Sequence, residues 1–282
     1  MNKVKQLPYG VSDFEYVMRE NYYYVDKTMY IPQIEAQPNN LMFIRPRRFG
    51  KSLLLSMLKT YYDKAKKDQF EEIFGSLWIG KHPTELMGRY QVMHLDFSRI
   101  GGSIDELEKK FDEYLCYTLD AFVRKYADDY PDYFIKSFFD CNTYTGKLIQ
   151  ITTVANELRI PMYLIIDEYD NFTNVVLSEK GEEMYHKLTH AEGFYRDVFK
   201  KFKGTFERIF FTGVSPVTLD DLTSGFNIGW NISTLFYFDK MLGFSTEEVR
   251  EMFTYYKKAD RLPADCDIEA MIEEMRPWYD NY

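Results

Sequence analysis

Short unbroken apolar runs alternate along this chain with longer stretches whose apolar residues recur at helical spacing. Residues 41–44 form the first run, a strand expected to be buried. Residues 52–64 follow as a helix, with Leu53, Leu54, Met57, Leu58 and Tyr61 on one face. Residues 90–97 read as a second strand. Ser103-Ile104-Asp105-Glu106 carries a capping-box pattern, and Leu107, Phe111, Leu115, Leu119, Phe122 and Tyr126 continue it as an apolar stripe to near Asp129. Pro131 is expected to break that helix, and residues 148–158 read as another. Residues 162–166 are continuously apolar, as in a strand buried on both faces, and stop at Asp167-Glu168. A helical stretch over about 182–202, a buried strand at 208–211 and a weaker strand candidate at 235–238 complete the series. Residues 1–39 read as an arm with turns at Pro8-Tyr9-Gly10 and at residues 37–40. The alternation predicts an α/β fold, a mostly parallel sheet with helices on both faces.

The strand ends carry the chemistry. Arg45-Pro46-Arg47-Arg48-Phe49-Gly50-Lys51-Ser52 lies between the first strand and its helix. A P-loop needs backbone N–H groups curled around phosphates, a Lys on the β/γ oxygens and a Ser or Thr hydroxyl on Mg²⁺ at a helix start. Gly50, Lys51 and Ser52 match the end of that pattern. Arg47, Arg48, Phe49, Gly50, Lys51, Ser52 and Leu53 are the candidate nucleotide-binding residues. The first Gly of GxxxxGK[ST] would fall at position 45, which is Arg. That loss predicts a differently shaped loop, with Pro46 fixing part of the turn and the arginines adding charge beside the phosphates. A bare Gly-Lys-Ser/Thr arises by chance in roughly one chain in seven of this length, so the context decides.

That context is residues 164–168. A buried strand ending in Asp-Glu places two carboxylates at the carboxyl end of a parallel sheet, where ligands bind in open α/β folds. Asp167, with Ser52, is the candidate Mg²⁺ ligand, and Glu168 the candidate base for the attacking water. Thr212, at the tip of the strand over 208–211, is the candidate sensor of the γ-phosphate, against the alternative of a plain turn. Asp96 and Ser98 are weaker candidates. The long separation of Lys51 from Asp167 leaves room for inserted helices. Arg196 or a second subunit would supply an arginine finger.

Leu7-Pro-Tyr-Gly-Val-Ser-Asp-Phe14, Tyr24-Val-Asp-Lys-Thr28, Arg45-Pro-Arg-Arg-Phe-Gly-Lys-Ser52, Ile165-Ile-Asp-Glu-Tyr-Asp170 and Thr212-Gly-Val-Ser-Pro216 occur in that order. Together with Gly243-Phe-Ser-Thr-Glu-Glu-Val249 and Trp278-Tyr-Asp-Asn-Tyr282 they resemble the bacterial AAA-ATPase-like family over nearly the whole chain. The loop also resembles that of archaeal-type STAND ATPases, and Arg-Pro-Arg-Arg in place of the first Gly looks usual for the family. The resemblance implies a P-loop NTPase of three α/β/α layers, strand order 5-1-4-3-2, over residues 1–242. It implies the start of a helical lid or winged-helix region over 243–282, read here as truncated. It also implies ATP and Mg²⁺ as ligands and ATP hydrolysis by a switch or motor module. Homo-oligomerisation is a further expectation. Many relatives carry a PD-(D/E)xK nuclease-like domain after the ATPase, which would make this chain the regulatory half of a nucleic-acid-processing protein. A nucleotide-gated interaction module with little turnover is the other alternative.

Composition narrows this picture. The net charge of −9 excludes coating a polyanion with the whole surface, so nucleic acid would need a local patch. Lys200, Lys201 and Lys203 read as a solvated helix face rather than that patch. The abundant Tyr and Phe read as core and rim rather than base-stacking surface. Tyr24 would either stack on a nucleotide base or simply pack. Cys116, Cys141 and Cys266 are few, odd in number and widely spaced, so reduced thiols are expected. His186 and His190 sit one helical turn apart but lack HExxH context. No apolar stretch resembles a signal peptide or a membrane span, and a soluble cytoplasmic protein is expected.

Overall fold

A computed structural model describes residues 4–100, 106–171, 194–215 and 229–279. The chain opens with two short helices, α1 (Phe14–Arg19) and α2 (Ile31–Glu35), and then β1 (Asn40–Ile44). Helices α3 (Lys51–Tyr62), α4 (Phe70–Phe74) and α5 (Trp78–Lys81) lead to β2 (Gln91–Asp96). Next come α6 (Leu107–Lys125), α7 (Asp132–Asp140), α8 (Tyr144–Leu158) and β3 (Met162–Asp167). After α9 (Phe194–Thr205), β4 (Arg208–Gly213) and β5 (Trp230–Asn231), the chain ends in α10 (Thr246–Lys258) and α11 (Ile268–Tyr279).

The strands form one parallel sheet in the order β2-β3-β4-β1-β5, which is 5-1-4-3-2 read in reverse. Alternation along each strand sorts the core into two sides. Leu41, Phe43, Val92, Tyr163, Ile165 and Phe210 face α3 and the arm helices, whose Phe14, Ile31, Leu54, Leu58, Tyr61 and Tyr62 are buried with them. Met42, Met93, Leu95, Leu164, Ile166, Ile209 and Phe211 face α6, α8 and α9 through Phe111, Leu115, Ile151, Val198 and Phe199. Every residue of β3 and β4 is buried, and each large apolar side chain so placed contributes about 1.5–3 kcal/mol. Helix α3 stops at Asp63, which is 2% exposed and accepts a hydrogen bond from Tyr126 Oη at 2.8 Å and an ion pair from Lys125.

Several sequence expectations need correction. The fifth strand is not at 235–238. Leu235 and Phe238 pack into the α3-side core while Phe236 is 83% exposed, an i, i+3 pattern of a 3₁₀ turn rather than alternation. The strand is Trp230–Asn231, two exposed edge residues too short to show a period. Pro131 does not itself break the preceding helix, which has already ended; it stands as the N-cap of α7. Helix α6 stops at Lys125 and a 3₁₀ turn covers Ala127–Asp129. Helix α8 starts earlier than expected, at Tyr144, because Thr143 Oγ1 accepts from Gly146 N. The arm is itself structured, with α1 capped by Asp13. The capping-box pattern at 103–106 lies mostly outside the described residues, as do His186, His190 and the first part of the helix expected over 182–202.

The arm also reaches the C-terminal helices. Tyr256 Oη donates to Lys5 O at 2.9 Å, and Tyr23 packs against both Tyr255 and Tyr256, with ring centroids 5.2 and 5.7 Å away. Lys27 Nζ donates to Glu248 Oε1 at 2.5 Å and to Lys240 O at 2.8 Å. Ser245 begins α10 with both bonds of a capping box. The arm therefore holds the first helix of the C-terminal pair against the rest of the domain. Among the described residues no helix is long and apolar enough to cross a membrane.

Candidate nucleotide site at the sheet's carboxyl edge

Residues 45–50 link β1 to α3, and the left-handed backbone that this turn requires falls at Arg48 (φ 67°) and Gly50 (φ 92°). Gly50 occupies the N-cap position of α3 without a side-chain cap, so the first N–H groups of α3 are left for another acceptor. Arg45 does not adopt a positive φ. Its N–H still donates to Gly213 O at 3.2 Å, continuing the β1–β4 ladder by one residue. Nothing in the backbone there demands glycine, which removes the difficulty that the sequence pattern posed. The Arg45 side chain turns away from the loop. It stacks over Phe43 at 4.5 Å, donates to Ser233 O at 2.8 Å and lies 3.7 Å from Asp239.

The residues singled out from sequence converge. Ser52 Oγ donates to Asp167 Oδ2 at 2.6 Å, and Thr212 Oγ1 donates to Asp167 Oδ1 at 2.8 Å. Lys51 is 6% exposed, and its Nζ donates to the carbonyls of Arg45 and Pro46, both at 2.9 Å. Glu168 follows Asp167 with φ 48°, a conformation that costs a non-glycine residue roughly 1–2 kcal/mol. Its N–H donates to Asp167 Oδ1 at 2.9 Å. Asp96 stands level with Asp167 in the β2–β3 register but is engaged in its own turn, accepting from Ser98 N and Ser98 Oγ.

Burial and charge act together here. Desolvation lowers the Lys51 pKa, opposed by the charges of Asp167, Glu168 and Asp170. Desolvation raises the Glu168 pKa, reinforced by Asp167 and Asp96 and opposed by Arg47 and Lys51. A carboxyl held above its usual range beside a second carboxylate is the environment in which proton-accepting groups are found.

Asp167 and Ser52 present hard oxygen atoms within hydrogen-bond distance of each other, the donor chemistry that suits Mg²⁺. No cluster of three or more His, Cys, Asp or Glu side chains able to hold a metal occurs among the described residues. Such a pair fits an ion that takes its remaining ligands from water and phosphate rather than from a protein cage.

A family model described as a predicted AAA-ATPase, the AAA-ATPase-like family, matches residues 8–223. The chain belongs to the AAA-ATPase-like family. It is 27% identical over 288 aligned positions to an uncharacterized protein encoded in the vnfD 5′ region of Azotobacter chroococcum mcd 1. That match covers 99% of this chain and 48% of the relative, so the chain spans about half the length of the curated relative it matches. No solved structure matches the chain.

Sequence reasoning missed the supports of this AAA-ATPase-like site. Asp170, 1% exposed, accepts from Val214 N at 2.9 Å and Ser215 N at 2.6 Å, while Tyr169 N donates to Thr212 O at 3.0 Å. The exits of β3 and β4 are thereby fastened together. A Cβ on Gly213 would collide with Tyr169 and Asp170, so only glycine permits this approach. Gly243 N donates to Phe49 O at 3.3 Å, and Leu242 lies over Gly50, which places the start of the C-terminal region against the loop. The motif containing Asp170 is part of the family pattern, but its carboxylate's target on another strand leaves no local signal. Tyr24 does not offer its face to a ligand: it packs edge-on to Phe14 at 5.3 Å and its hydroxyl reaches Met57 Sδ at 3.5 Å. Asp26 accepts from Trp78 N at 2.6 Å and Thr28 Oγ1 accepts from Ile79 N at 3.1 Å, so this motif anchors α5 while Lys27 holds α10.

Proposed function

We propose that this chain binds ATP with Mg²⁺ on residues 47–53 and hydrolyses it, as a switch module whose nucleotide state is transmitted to the C-terminal helices. The observation that carries the reading is the hydrogen bond between Ser52, at the start of the P-loop helix, and Asp167, at the tip of β3. It joins the start of α3 to the tip of β3, which supports reading the two as halves of one nucleotide site.

The backbone N–H groups of residues 47–52 and the positive end of α3 receive the β- and γ-phosphates. Lys51 leaves the carbonyls of Arg45 and Pro46, to which it is bonded at 2.9 Å, for phosphate oxygens. Ser52 and Asp167 would hold a magnesium ion, which when bound would neutralise charge on the phosphate oxygens. Glu168 accepts a proton from water as the water oxygen bonds to the γ-phosphorus. The bond to the β–γ bridging oxygen breaks and its electron pair stays with ADP. Thr212, bonded to Asp167 at 2.8 Å, reports the presence of the γ-phosphate. The contacts of Phe49 and Gly50 with residues 242–243 give a direct route from the loop to the region that begins at residue 243.

The test is ATP binding and Mg²⁺-dependent phosphate release by wild type, Lys51→Ala and Glu168→Gln. Wild type is expected to do both, Lys51→Ala neither, and Glu168→Gln to bind without turnover. Equal behaviour of all three proteins would remove the proposal.

A further inference from the structure

The three cysteines are free thiols, and two of them share one place in the fold. One face of α6 runs along the link from α7 to α8. Asp112 Oδ1 accepts from Tyr144 N at 3.2 Å, and two turns further on Asp120 Oδ1 accepts from Lys147 Nζ at 2.6 Å. Cys116 stands one turn from each of them, so it faces the same link. Its Sγ donates to Asn142 O at 3.8 Å. Cys141 is the residue before, the C-cap of α7. Its Sγ donates to Thr143 O at 3.7 Å, and a Cβ on Gly146 would lie 2.5 Å from it. The Cys141 sulfur therefore rests on the first turn of α8, and the Cys116 sulfur meets the same link at the next residue. Cys266, between α10 and α11, shares none of these contacts.

The two thiols differ in access. Cys141 lines an open cavity of about 480 Å³ together with Tyr133, Lys136, Ser137 and Asp140, and Cys116 does not line it. Lys136 and Asp140 form no ion pair among the described residues. They offer opposite charges to a molecule that carries both. Burial pushes the Cys116 thiol up to about 11, and the charges of Asp112, Asp120 and Cys141 add to this against Lys147. Cys116 therefore stays protonated at neutral pH and does not begin an exchange, because the thiolate is the nucleophile.

We propose that Cys141 is a thiol-modification site for small zwitterionic disulfides of the oxidised-glutathione class, with Cys116 as its resolving thiol. The Cys141 thiol gives its proton to water, and its sulfur attacks one sulfur of the small disulfide. That S–S bond breaks, one thiolate leaves and takes up a proton, and a mixed disulfide remains on Cys141. Cys116 then loses its proton, attacks Cys141 Sγ and expels the second small thiol. Two protein thiols are oxidised by two electrons, and the small disulfide is reduced to two thiols. The product ties α6 to the link between α7 and α8. None of this depends on the nucleotide reading above.

The experiment exposes wild type and Cys266→Ser to oxidised glutathione, and then Cys266→Ser carrying either Cys116→Ser or Cys141→Ser. Peptides are mapped by mass spectrometry without reduction over a time course. Glutathione is expected first on Cys141, and then to be lost as a peptide pair joined through Cys116 and Cys141 appears. With Cys116→Ser the reaction should stop at glutathione on Cys141. With Cys141→Ser, Cys116 should stay unmodified. The joined protein should melt about 5 °C or more above the reduced one, because the closed loop restricts the unfolded chain, and dithiothreitol should reverse the rise. Glutathione that stays on Cys141 while Cys116 is present would overturn the resolving role. A first adduct on Cys116, or no adduct on either residue, would overturn the site. The joined peptide is read in wild type itself, so the outcome does not hang on a variant that folds poorly.

Discussion

Ser52 Oγ and Asp167 Oδ2 lie 2.6 Å apart, joining the helix that follows β1 to the tip of β3. If this pair shares a divalent ion, ATP affinity should depend on Mg²⁺ in wild type and lose that dependence in Asp167→Asn. Turnover in Asp167→Asn should fall by about 10²-fold or more, as expected when a charged ligand that positions phosphate is lost. Titration calorimetry with and without Mg²⁺ checks this. A Mg²⁺ effect that survives in Asp167→Asn and Ser52→Ala alike would remove both from the metal.

Among the described residues the Glu168 side chain makes no hydrogen bond or ion pair, so under the proposed role as proton acceptor its loss should affect turnover more than folding. Glu168→Gln should bind ATP within a few-fold of wild type and lose about 10²–10⁴-fold in turnover, the range of general-base contributions. Its thermal midpoint should be unchanged or slightly raised, since one carboxylate is removed from beside Asp167 and Asp96. Single-turnover kinetics and calorimetric melting separate the two effects. Undiminished turnover would assign the proton elsewhere.

The Lys27–Glu248 pair joins the arm to α10, with side chains 11% and 23% exposed. Lys27→Met removes the ion pair and the bond to Lys240 O, leaving a partly buried carboxylate without its partner. A destabilisation of about 1–2 kcal/mol is expected, and Glu248→Gln in the same chain should recover part of it. A double-mutant cycle by urea unfolding measures the coupling. Additive effects would show that the two residues do not cooperate.

His94 lies on β2, and burial, aided by the charge of Lys59, lowers its pKa to about 4 against the opposing pull of Asp167 and Asp96. The unfolded chain therefore binds this proton more readily than the folded one. The stability from His94 is complete above about pH 6.5 and is lost as pH falls from there toward 4, by at most about 1.4 kcal/mol per pH unit. Urea midpoints measured from pH 7.5 to 4.5 should show this slope in wild type and a flatter one in His94→Leu. Parallel curves would assign the acid sensitivity to other groups.

Much of this protein can be read locally. Strands β1 to β4 have continuous apolar runs, because a strand covered on both faces needs them. Lys51, Ser52, Asp167, Glu168 and Thr212 stand at the ends of those runs, and in a parallel sheet all such ends share one edge. The order of the strands came from family resemblance, since no local pattern says which strand neighbours which. The edge strand Trp230–Asn231 has no sequence signature because two exposed residues bury too little to leave a period. The turn at Phe236–Phe238 resembles a strand in sequence because four hydrophobic residues in a row look alike until packing exposes some and buries others.

The sequence alone determined the layers and the edge at which the candidate site's residues meet, because burial imposes short-range patterns and the strand ends of a parallel sheet share one side. Tertiary structure alone decided how the site is held. Asp170 grips residues 214 and 215, Arg45 turns to residues 233 and 239, and Lys27 reaches Lys240 and Glu248. Each is a polar group whose partner is set by where distant backbone arrives in space, and a hydrogen bond across such a separation leaves no periodic trace in the sequence.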